Sequence, residues 1–465
     1  MLAARSGAGR SAGLIGVQLP KGVETSVAIP GEASVQVDGP LDVIIIGGGI
    51  GGVLCLYYAK RAGLDAVLLE KQGVVGGLWA QLPEWQDIQS PGKEWTLGDV
   101  PIDGEDQKSV LRNIQAWVDR FELASRIRLG EPVERAEAGE GGWKVSTRAR
   151  TYRSRFLVSA TGGHNRPIVP PVERSHTSIE EHHSSALRDP SVIAGRDVLV
   201  VGGGASAYDL LELCLKHHAR RIAWVYRATR WMRPTRKPKN IAGDTRALAK
   251  MQMLGNSAEK ISRDVTQDFR QRYHEFGLEE ILPDEDFDLR RHQLIPGRCH
   301  MIEHFREFER HRGEVVRIEG KSVHLSSGAR TDADLILWGT GYEMDLSYFA
   351  SPALAKIRHI DDLAARCGSL FRSLDEPNLF FLAVLLDATA ASMTWSYAHA
   401  CRSIVAHICG KAHLDTVPFK GKLAHFELAA FLAERDPYNY PPDTWRSEYE
   451  KLALEYPQND PLPIP

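Results

Sequence analysis

The sequence predicts an α/β fold built from two similar strand–turn–helix units. The stretch "LDVIIIGGGIGG" begins at Leu41, and a near copy, "RDVLVVGGGASA", begins 155 residues later at Arg196. Each copy has a continuous apolar run, which is typical of a parallel strand buried on both faces, and then glycines and a helix-forming segment. At 465 residues the chain is too long for one hydrophobic core, so more than one domain is expected.

The glycines of the first copy are spaced as in a dinucleotide-binding loop. Gly47, Gly49 and Gly52 fit Gly-x-Gly-x-x-Gly, which permits a tight turn, admits a pyrophosphate and allows close helix–strand packing. The phosphates are then expected at the N-terminus of the following helix. The next strand, "DAVLLEK", ends in Glu70 and Lys71, and the Glu70 carboxylate is placed to hold ribose hydroxyls. This unit is predicted to bind FAD or NAD.

The second copy differs at two positions that bear on its ligand. Gly202 and Gly204 keep the first two glycine positions, and Ala207 takes the third, which predicts a slightly wider helix–strand contact. The next strand, "RIAWVYR", ends in Arg227 instead of an acid, and Arg230 follows as a further phosphate contact. A guanidinium pairs with a 2′-phosphate that a carboxylate would repel, so this unit is predicted to bind NADP. The residues that open its helix are Ala205 and Ser206.

Three further segments accompany the two glycine loops. They are "GVVGGLW" at residues 73–79, "SATGGHNRP" at 159–167 and "ADLILWGTGY" at 333–342. The residues that they contribute to the candidate cofactor sites are Gly77, Leu78, Trp79, Thr161, Thr340, Gly341 and Tyr342. With these segments the chain resembles the flavin-containing monooxygenases and their N-hydroxylating and Baeyer–Villiger relatives, the class B flavoprotein monooxygenases, over about residues 40–410.

The resemblance implies both a fold and a reaction. The fold has two Rossmann-like dinucleotide-binding domains, as in glutathione reductase, with the NADP domain inserted into the FAD domain. NADPH reduces FAD, O2 adds at flavin C4a, and the resulting (hydro)peroxyflavin gives one oxygen atom to a small molecule. An amine nitrogen or a sulfide sulfur is the expected acceptor, because Arg188 stands in place of an acidic or proline residue and favours that branch.

Two departures from the family pattern concern the site. In the fingerprint segment "TSIEEHHSSALR", His183 and Arg188 match the histidine and basic positions, but the aromatic and glycine positions differ. Where the family carries an asparagine near the flavin, "IQSPGKEW" places Gln89 or Ser90, and a glutamine amide can still donate a hydrogen bond to a peroxide. Each assignment has an alternative. Gln89 is equally well explained as a turn residue ahead of Pro91, and His183 as a histidine in a linker without a role in binding.

The order of the motifs predicts a nested domain organisation. It consists of a flexible extension at 1–38, a first part of the FAD domain at 39–189, an NADP domain at 190–329 with a helical insert at about 237–290, a second part of the FAD domain at 330–412 and a C-terminal surface segment at 413–465. Such insertion is possible because the termini of a domain tend to lie close together. The insert is either a surface excursion or a cap that shapes substrate access or a dimer contact.

Composition argues against several other classes of function. A net charge of −3 gives no reason to expect nucleic acid or a membrane surface as a partner. The six cysteines form no Cys-x-x-Cys pair, which argues against a redox dithiol, and no metal is expected. No apolar run reaches the roughly 18 residues of a membrane helix, so a cytoplasmic enzyme is expected. A homodimer is one of the oligomeric states left open. Ketone oxygenation and a FAD/NADPH reductase that passes electrons to a carrier remain as alternatives.

Overall fold

The computed structural model describes residues 40–88, 100–236, 257–289, 292, 294–368, 372–376, 378–382 and 393–411. The helices are α1 (Ile50–Arg61), α2 (Gln107–Arg120), α3 (Ala205–Lys216), α4 (Ala258–Glu275), α5 (Cys299–Glu303), α6 (Pro352–Ala355), α7 (Ile360–Ala364) and α8 (Met393–Ile408). The strands are β1 (Leu41–Ile46), β2 (Ala66–Leu69), β3 (Ile127–Arg128), β4 (Val133–Gly139), β5 (Gly142–Thr147), β6 (Thr151–Ser159), β7 (Arg166–Pro167), β8 (Glu173–Ser175), β9 (Glu180–His183), β10 (Asp197–Val201), β11 (Arg221–Tyr226), β12 (Met232–Arg233), β13 (Ile295–Pro296), β14 (Glu309–Arg312), β15 (Val315–Glu319), β16 (Ser322–Leu325), β17 (Arg330–Asp332), β18 (Leu335–Trp338), β19 (Tyr342–Glu343) and β20 (Leu379–Phe381).

The first domain is organised around the sheet that carries the first glycine loop. Its parallel strands run in the order β3-β2-β1-β6, and the second half of β6 also pairs with β20. The hairpin β4–β5 extends the sheet in antiparallel fashion from the first half of β6. β1 and β2 are buried along almost their whole length, as their continuous apolar runs predict for inner parallel strands. α8 packs on α1, where the Cys401 thiol donates to the Gly51 carbonyl at 3.4 Å.

The second domain contains a wholly parallel sheet in the order β14-β11-β10-β18-β9. Successive side chains of a strand point to opposite faces of its sheet. Accordingly Val198 and Val200 enter one hydrophobic core, and Leu199 and Val201 enter another. The second core is covered by the meander β15–β16–β17, to which β8 adds in parallel. Both faces of β10 are therefore buried, as in a Rossmann-like sheet.

The strand pairing confirms the inserted second domain but moves its predicted boundaries. β6 and β20 pair in the first sheet, and every strand of the second sheet lies between them in the sequence. β9 lies within 39–189 and β18 lies beyond 330, yet both pair in the second sheet. The reason is that β10 is an inner strand with a neighbour on each edge. β18 pairs with the edge of β10 that faces away from β11, and β9 pairs with β18. The crossovers therefore lie after β6 and after β18.

The predicted helical insert is only partly described, and its described helix belongs to the core. α4 begins after Ser257, whose hydroxyl accepts from Lys260 N at 3.2 Å. One side of the helix enters the core of the second domain through a set of residues spaced four apart, Ile261, Val265, Phe269 and Tyr273. The interpretation as a surface excursion is therefore wrong for α4. Residues 237–256 lie outside the described part of the chain. Among the described helices, none is long and apolar enough to cross a membrane.

Candidate active site

The first glycine loop brings α1 directly against β1. A Cβ on Gly52 would lie 1.9 Å from the carbonyl oxygen of Gly47, so only glycine fits at position 52. Gly47 has φ +108°, a conformation that side chains rarely adopt. Gly49 caps α1 without a side-chain hydrogen bond, and the first turn contains no acidic residue. The dipole and the first N–H groups of α1 therefore favour an anionic group such as a pyrophosphate.

Glu70 lies at the carboxyl end of β2, beside the glycine loop, and is 3% exposed. Its Oε2 accepts from Gly48 N at 2.5 Å, and its Oε1 accepts from Gln72 N at 2.8 Å. A carboxylate has about four lone-pair sites, so these two bonds orient it and leave capacity for ribose hydroxyls. Lys71 is exposed next to it. Ribose binding by Glu70 remains a prediction to which this geometry is suited.

The Gly-Gly-x-Trp segment contacts the first glycine loop backbone to backbone. Gly76 N donates to a carbonyl of the loop at 2.8 Å. A Cβ on Gly77 would lie 2.8 Å from the Cα of Gly49. The amide of Gln107, the first residue of α2, holds the segment by donating to the Trp79 carbonyl at 2.5 Å. The turn brings three predicted residues to the wall of the site, Gly77, Leu78 and Trp79.

The second glycine loop is equally tight, although alanine replaces its third glycine. A Cβ on Gly203 would lie 1.9 Å from the Ala228 carbonyl oxygen. Ala207 is fully buried, and a Cβ on Gly339 would lie only 2.7 Å from its Cα. Gly339, at the end of β18, supplies the space that a third glycine would leave. The predicted widening of the helix–strand contact is therefore not needed. Gly204 caps α3, whose first turn contains Ala205 and Ser206 and no acidic residue.

The two arginines predicted to bind a 2′-phosphate lie at the edge of the second loop. Arg227 follows β11, and its side chain is 81% exposed. Its Nη1 donates to Oε1 of Glu314 at 3.1 Å. Arg230 lies against the loop, since its backbone N donates to the Gly203 carbonyl at 3.0 Å. Both positions suit the prediction, and the ion pair with Glu314 was not foreseen.

His183 fixes the return crossover between the two domains. Its Nε2 donates to the Gly341 carbonyl at 3.0 Å, and its Nδ1 accepts from Ser185 N at 3.2 Å. Burial lowers the pKa of His183, which favours this neutral tautomer. The ring of Tyr342 meets the imidazole edge-on at 5.1 Å. The Thr340 hydroxyl donates to the carbonyl of residue 168, so the Gly-Thr-Gly-Tyr crossover is held from both sides.

Arg188 ties the chain before the second loop to the segment that follows Trp79. Its guanidinium donates to the carbonyls of Gln81 at 2.6 Å and Leu82 at 3.0 Å. The Trp85 indole donates in the opposite direction, to the residue 187 carbonyl at 2.7 Å. Arg188 is thus a positioning residue. Its contacts give no support to its predicted role in favouring amines and sulfides over ketones.

Both glycine loops open into one continuous cavity of about 1790 Å³. Most predicted cofactor-binding residues line it: Gly47, Gly49, Glu70, Lys71, Gly77, Leu78, Trp79, Thr161, Gly202, Gly204, Ala205, Ser206, Arg227, Arg230, Thr340, Gly341 and Tyr342. Gly52 and Ala207 lie behind its wall, in the helix–strand contacts. Two helix N-termini and two arginines offer hydrogen-bond donors, and the buried Glu70 carboxylate offers acceptors, a combination that fits one dinucleotide at each loop.

Gln89 and Ser90 lie outside the described residues, so their contact with the flavin remains a prediction. Three further cavity residues, not singled out from the sequence, are Asn165, Tyr348 and Glu314. Asn165 accepts from the backbone N of residue 345 at 2.7 Å, and the Tyr348 hydroxyl lies 2.7 Å from that of residue 159. Glu314 follows β14 and comes near Arg227 through the pairing of β14 with β11, so the sequence carries no local signal for it.

Residues 44–275, which include both glycine loops, match the family model described as pyridine nucleotide-disulphide oxidoreductase. The match covers about half of the chain. The family name implies no redox disulfide in this protein, because all six of its cysteines are free.

Known relatives of this chain include a monooxygenase and a reductase. It is 24% identical to a Baeyer-Villiger monooxygenase of Streptomyces coelicolor over 347 residues, 66% of either chain. It is 28% identical to a ferredoxin--NADP reductase of Lactococcus lactis over 193 residues, 41% of this chain and 56% of that one. The chain spans about a third to two thirds of the length of the curated relatives that it matches.

Among solved structures, a flavin-containing monooxygenase from Stenotrophomonas maltophilia aligns with a TM-score of 0.58 at 18% identity. The alignment covers 80% of this chain and 98% of that chain. At this identity the likeness shows the fold: two Rossmann-like domains, one inserted into the other. The predicted resemblance to flavin-containing and Baeyer–Villiger monooxygenases is confirmed by the family match, the Baeyer-Villiger relative and this fold taken together.

Proposed function

We propose that this oxidoreductase holds FAD at its first glycine loop and NADPH at its second, and acts as a monooxygenase on a small molecule. The net reaction consumes NADPH, a proton and O2, and yields NADP⁺, water and a substrate with one added oxygen atom. The observation that supports this most directly is that both loops open into the same cavity. A hydride donor and its acceptor can therefore meet there without a carrier protein.

The chain's own residues bind, orient and shield the cofactors. Bound FAD would supply the redox chemistry, because it can accept a hydride from NADPH and, once reduced, react with O2. Glu70 would hold the ribose of FAD, and the N-terminus of α1 its pyrophosphate. Arg227 and Arg230 would bind the 2′-phosphate of NADPH. The Gly-Thr-Gly-Tyr crossover, fixed by His183, lines the cavity that both loops share and would limit the access of water to the reacting atoms.

We infer that the oxygen acceptor is an amine nitrogen or a sulfide sulfur, with Gln89 or Ser90 donating a hydrogen bond near the flavin. The support is the resemblance to flavin-containing monooxygenases. Ketone oxygenation is a second candidate, because a Baeyer-Villiger monooxygenase is among the relatives. A cytoplasmic location and a homodimer are part of the same proposal.

Product analysis tests the reaction and the acceptor together. The purified protein is mixed with NADPH, isotopically labelled O2 and, in turn, a tertiary amine, a sulfide and a cyclic ketone. Label in an N-oxide or a sulfoxide is the expected result. Label found only in the cyclic ester formed from the ketone would contradict the amine and sulfide proposal but would still support a monooxygenase.

A reductase that passes electrons to a carrier is the second candidate function, and the ferredoxin--NADP reductase relative favours it. This alternative predicts NADPH oxidation that depends on added ferredoxin and gives no labelled product. Carrier-independent O2 consumption, matched by labelled product, would rule it out.

A further inference from the structure

We propose that Glu314 sets the cofactor preference of the second loop, by weakening its affinity for the 2′-phosphate of NADPH relative to NADH. The proposal rests on the NADPH site proposed above. The Glu314 carboxylate lies 3.1 Å from the Arg227 guanidinium, and the two side chains are 56% and 81% exposed. Both line the cavity at the end of β11. A 2′-phosphate bound by Arg227 would therefore compete with a carboxylate already in place.

The fold holds Glu314 beside Arg227. β11 and β14 pair in parallel with Tyr226 opposite Arg312, so the residues that follow these strands emerge side by side. The N–H of residue 313 donates to the Tyr226 carbonyl at 2.9 Å, and the Glu314 N–H donates to the hydroxyl of residue 326 at 2.9 Å. Moving the Glu314 backbone away from Arg227 would break these bonds. Its carboxylate therefore remains within reach of a bound phosphate.

Charges of both signs surround this part of the cavity, and Asp284 is already paired with Arg312. Arg227 and Arg230 share the lining with three carboxylates, those of Asp284, Glu285 and Glu314. A 2′-phosphate brings up to two negative charges, whereas NADH presents only a ribose hydroxyl there. At about 4 Å in water, repulsion between two unit charges changes an equilibrium constant about fivefold. Removing the Glu314 charge should therefore strengthen the binding of the phosphorylated cofactor selectively.

The test uses two ligands that differ only in that phosphate, 2′,5′-ADP and 5′-AMP, titrated calorimetrically into the full-length protein. E314Q should raise the ratio of the two affinities about fivefold, mainly through 2′,5′-ADP. R227A should lower the same ratio. The matched control is E319Q. Glu319 forms a similarly exposed ion pair, 3.3 Å long, with Arg317, and neither residue lines the cavity. That variant should leave the ratio unchanged.

The variants separate failure of this proposal from failure of the NADPH site. If R227A lowers the ratio but E314Q leaves it unchanged, Glu314 has no influence on phosphate binding; if E314Q lowers it, Glu314 orients Arg227 for the phosphate. Either result would overturn the proposal. If the wild-type protein binds 2′,5′-ADP and 5′-AMP equally well and R227A changes neither affinity, the assignment of NADPH to the second loop is wrong, and this proposal fails with it. As a second readout, the NADPH-to-NADH ratio of kcat/KM should rise in E314Q by the same factor.

Discussion

At the scale of the residue, Gly52 shows how little space separates α1 from β1. An alanine Cβ there would lie 1.9 Å from the Gly47 carbonyl oxygen, which is backbone and cannot rotate away. Overpacking of this kind costs about 1–3 kcal/mol, and here the displaced atoms belong to the loop that would hold the pyrophosphate. We therefore expect G52A to lower the melting temperature and the flavin content of the purified protein, measured by calorimetry and absorbance.

Gly73 provides the control for this substitution. It lies in the same part of the first domain, and a Cβ there would have no atom within 4 Å. G73A should therefore keep both the flavin content and the melting temperature of the wild-type protein. Equal flavin content in G52A and G73A would show that the loop relaxes around an added methyl group.

Single residues also show which parts of the site could be predicted from the sequence. The glycines and Glu70 were predictable because their roles depend on local spacing along one strand–turn–helix unit. Arg188 was not, because its partners are backbone carbonyls of residues 81 and 82, which carry no side-chain signature. For Ala207 the compensating residue is Gly339, far away in sequence, and only the pairing of β10 with β18 brings the two together.

At the scale of the element, the start of α2 links helix stability to the cavity wall. Asp106 caps the helix by accepting from Ser109 N at 3.0 Å, and the next residue, Gln107, holds the Trp79 turn. Loss of an N-cap costs about 0.5–2 kcal/mol. We expect D106A to lower the free energy of unfolding by about that amount in chemical denaturation, and D106N, which can still cap, to lower it much less.

The same cap predicts a pH dependence with a definite sign. The hydrogen bond from the Ser109 N–H lowers the pKa of Asp106 below its usual 3.8. The ionised carboxylate therefore contributes its full stabilisation above pH 3.8 and loses it as the pH falls through the lower, folded-state pKa. The stability difference between the wild-type protein and D106A should shrink over this acidic range. A difference that stays constant down to the acid transition would contradict the charged cap.

The elements themselves were predictable to different degrees. β1, β2, β10 and β11 have continuous apolar runs beside glycine loops, and each appears where its pattern places it. The short strand β9 has the polar sequence "EEHH", so hydrophobic periodicity could not predict it. It is a strand because it pairs with β18. The domain boundaries were misplaced for this reason, because they depend on the pairing of distant strands.

For the whole molecule, the proposed hydride transfer requires the two glycine loops to keep a fixed separation across the cavity that both line. Three hydrogen bonds contribute to this arrangement by joining residues 81–85 to residues 187–188. The first segment continues from the turn over the first loop, and the second leads into β10 and the second loop. Arg188 supplies two of these bonds and is therefore the residue whose removal should misalign the loops.

We expect R188A to slow anaerobic reduction of the flavin by saturating NADPH about tenfold, equivalent to about 1.4 kcal/mol in the barrier, while the NADPH KM stays within about twofold. Binding should survive because Arg188 lies away from both glycine loops, whereas the hydride-transfer distance depends on their alignment. R148A is the matched control: Arg148 forms an exposed pair with Glu134 at 2.8 Å and touches neither segment. If R188A instead changed the ratio of N-oxide or sulfoxide to ester at an unchanged reduction rate, Arg188 would select the substrate and the positioning role would be wrong.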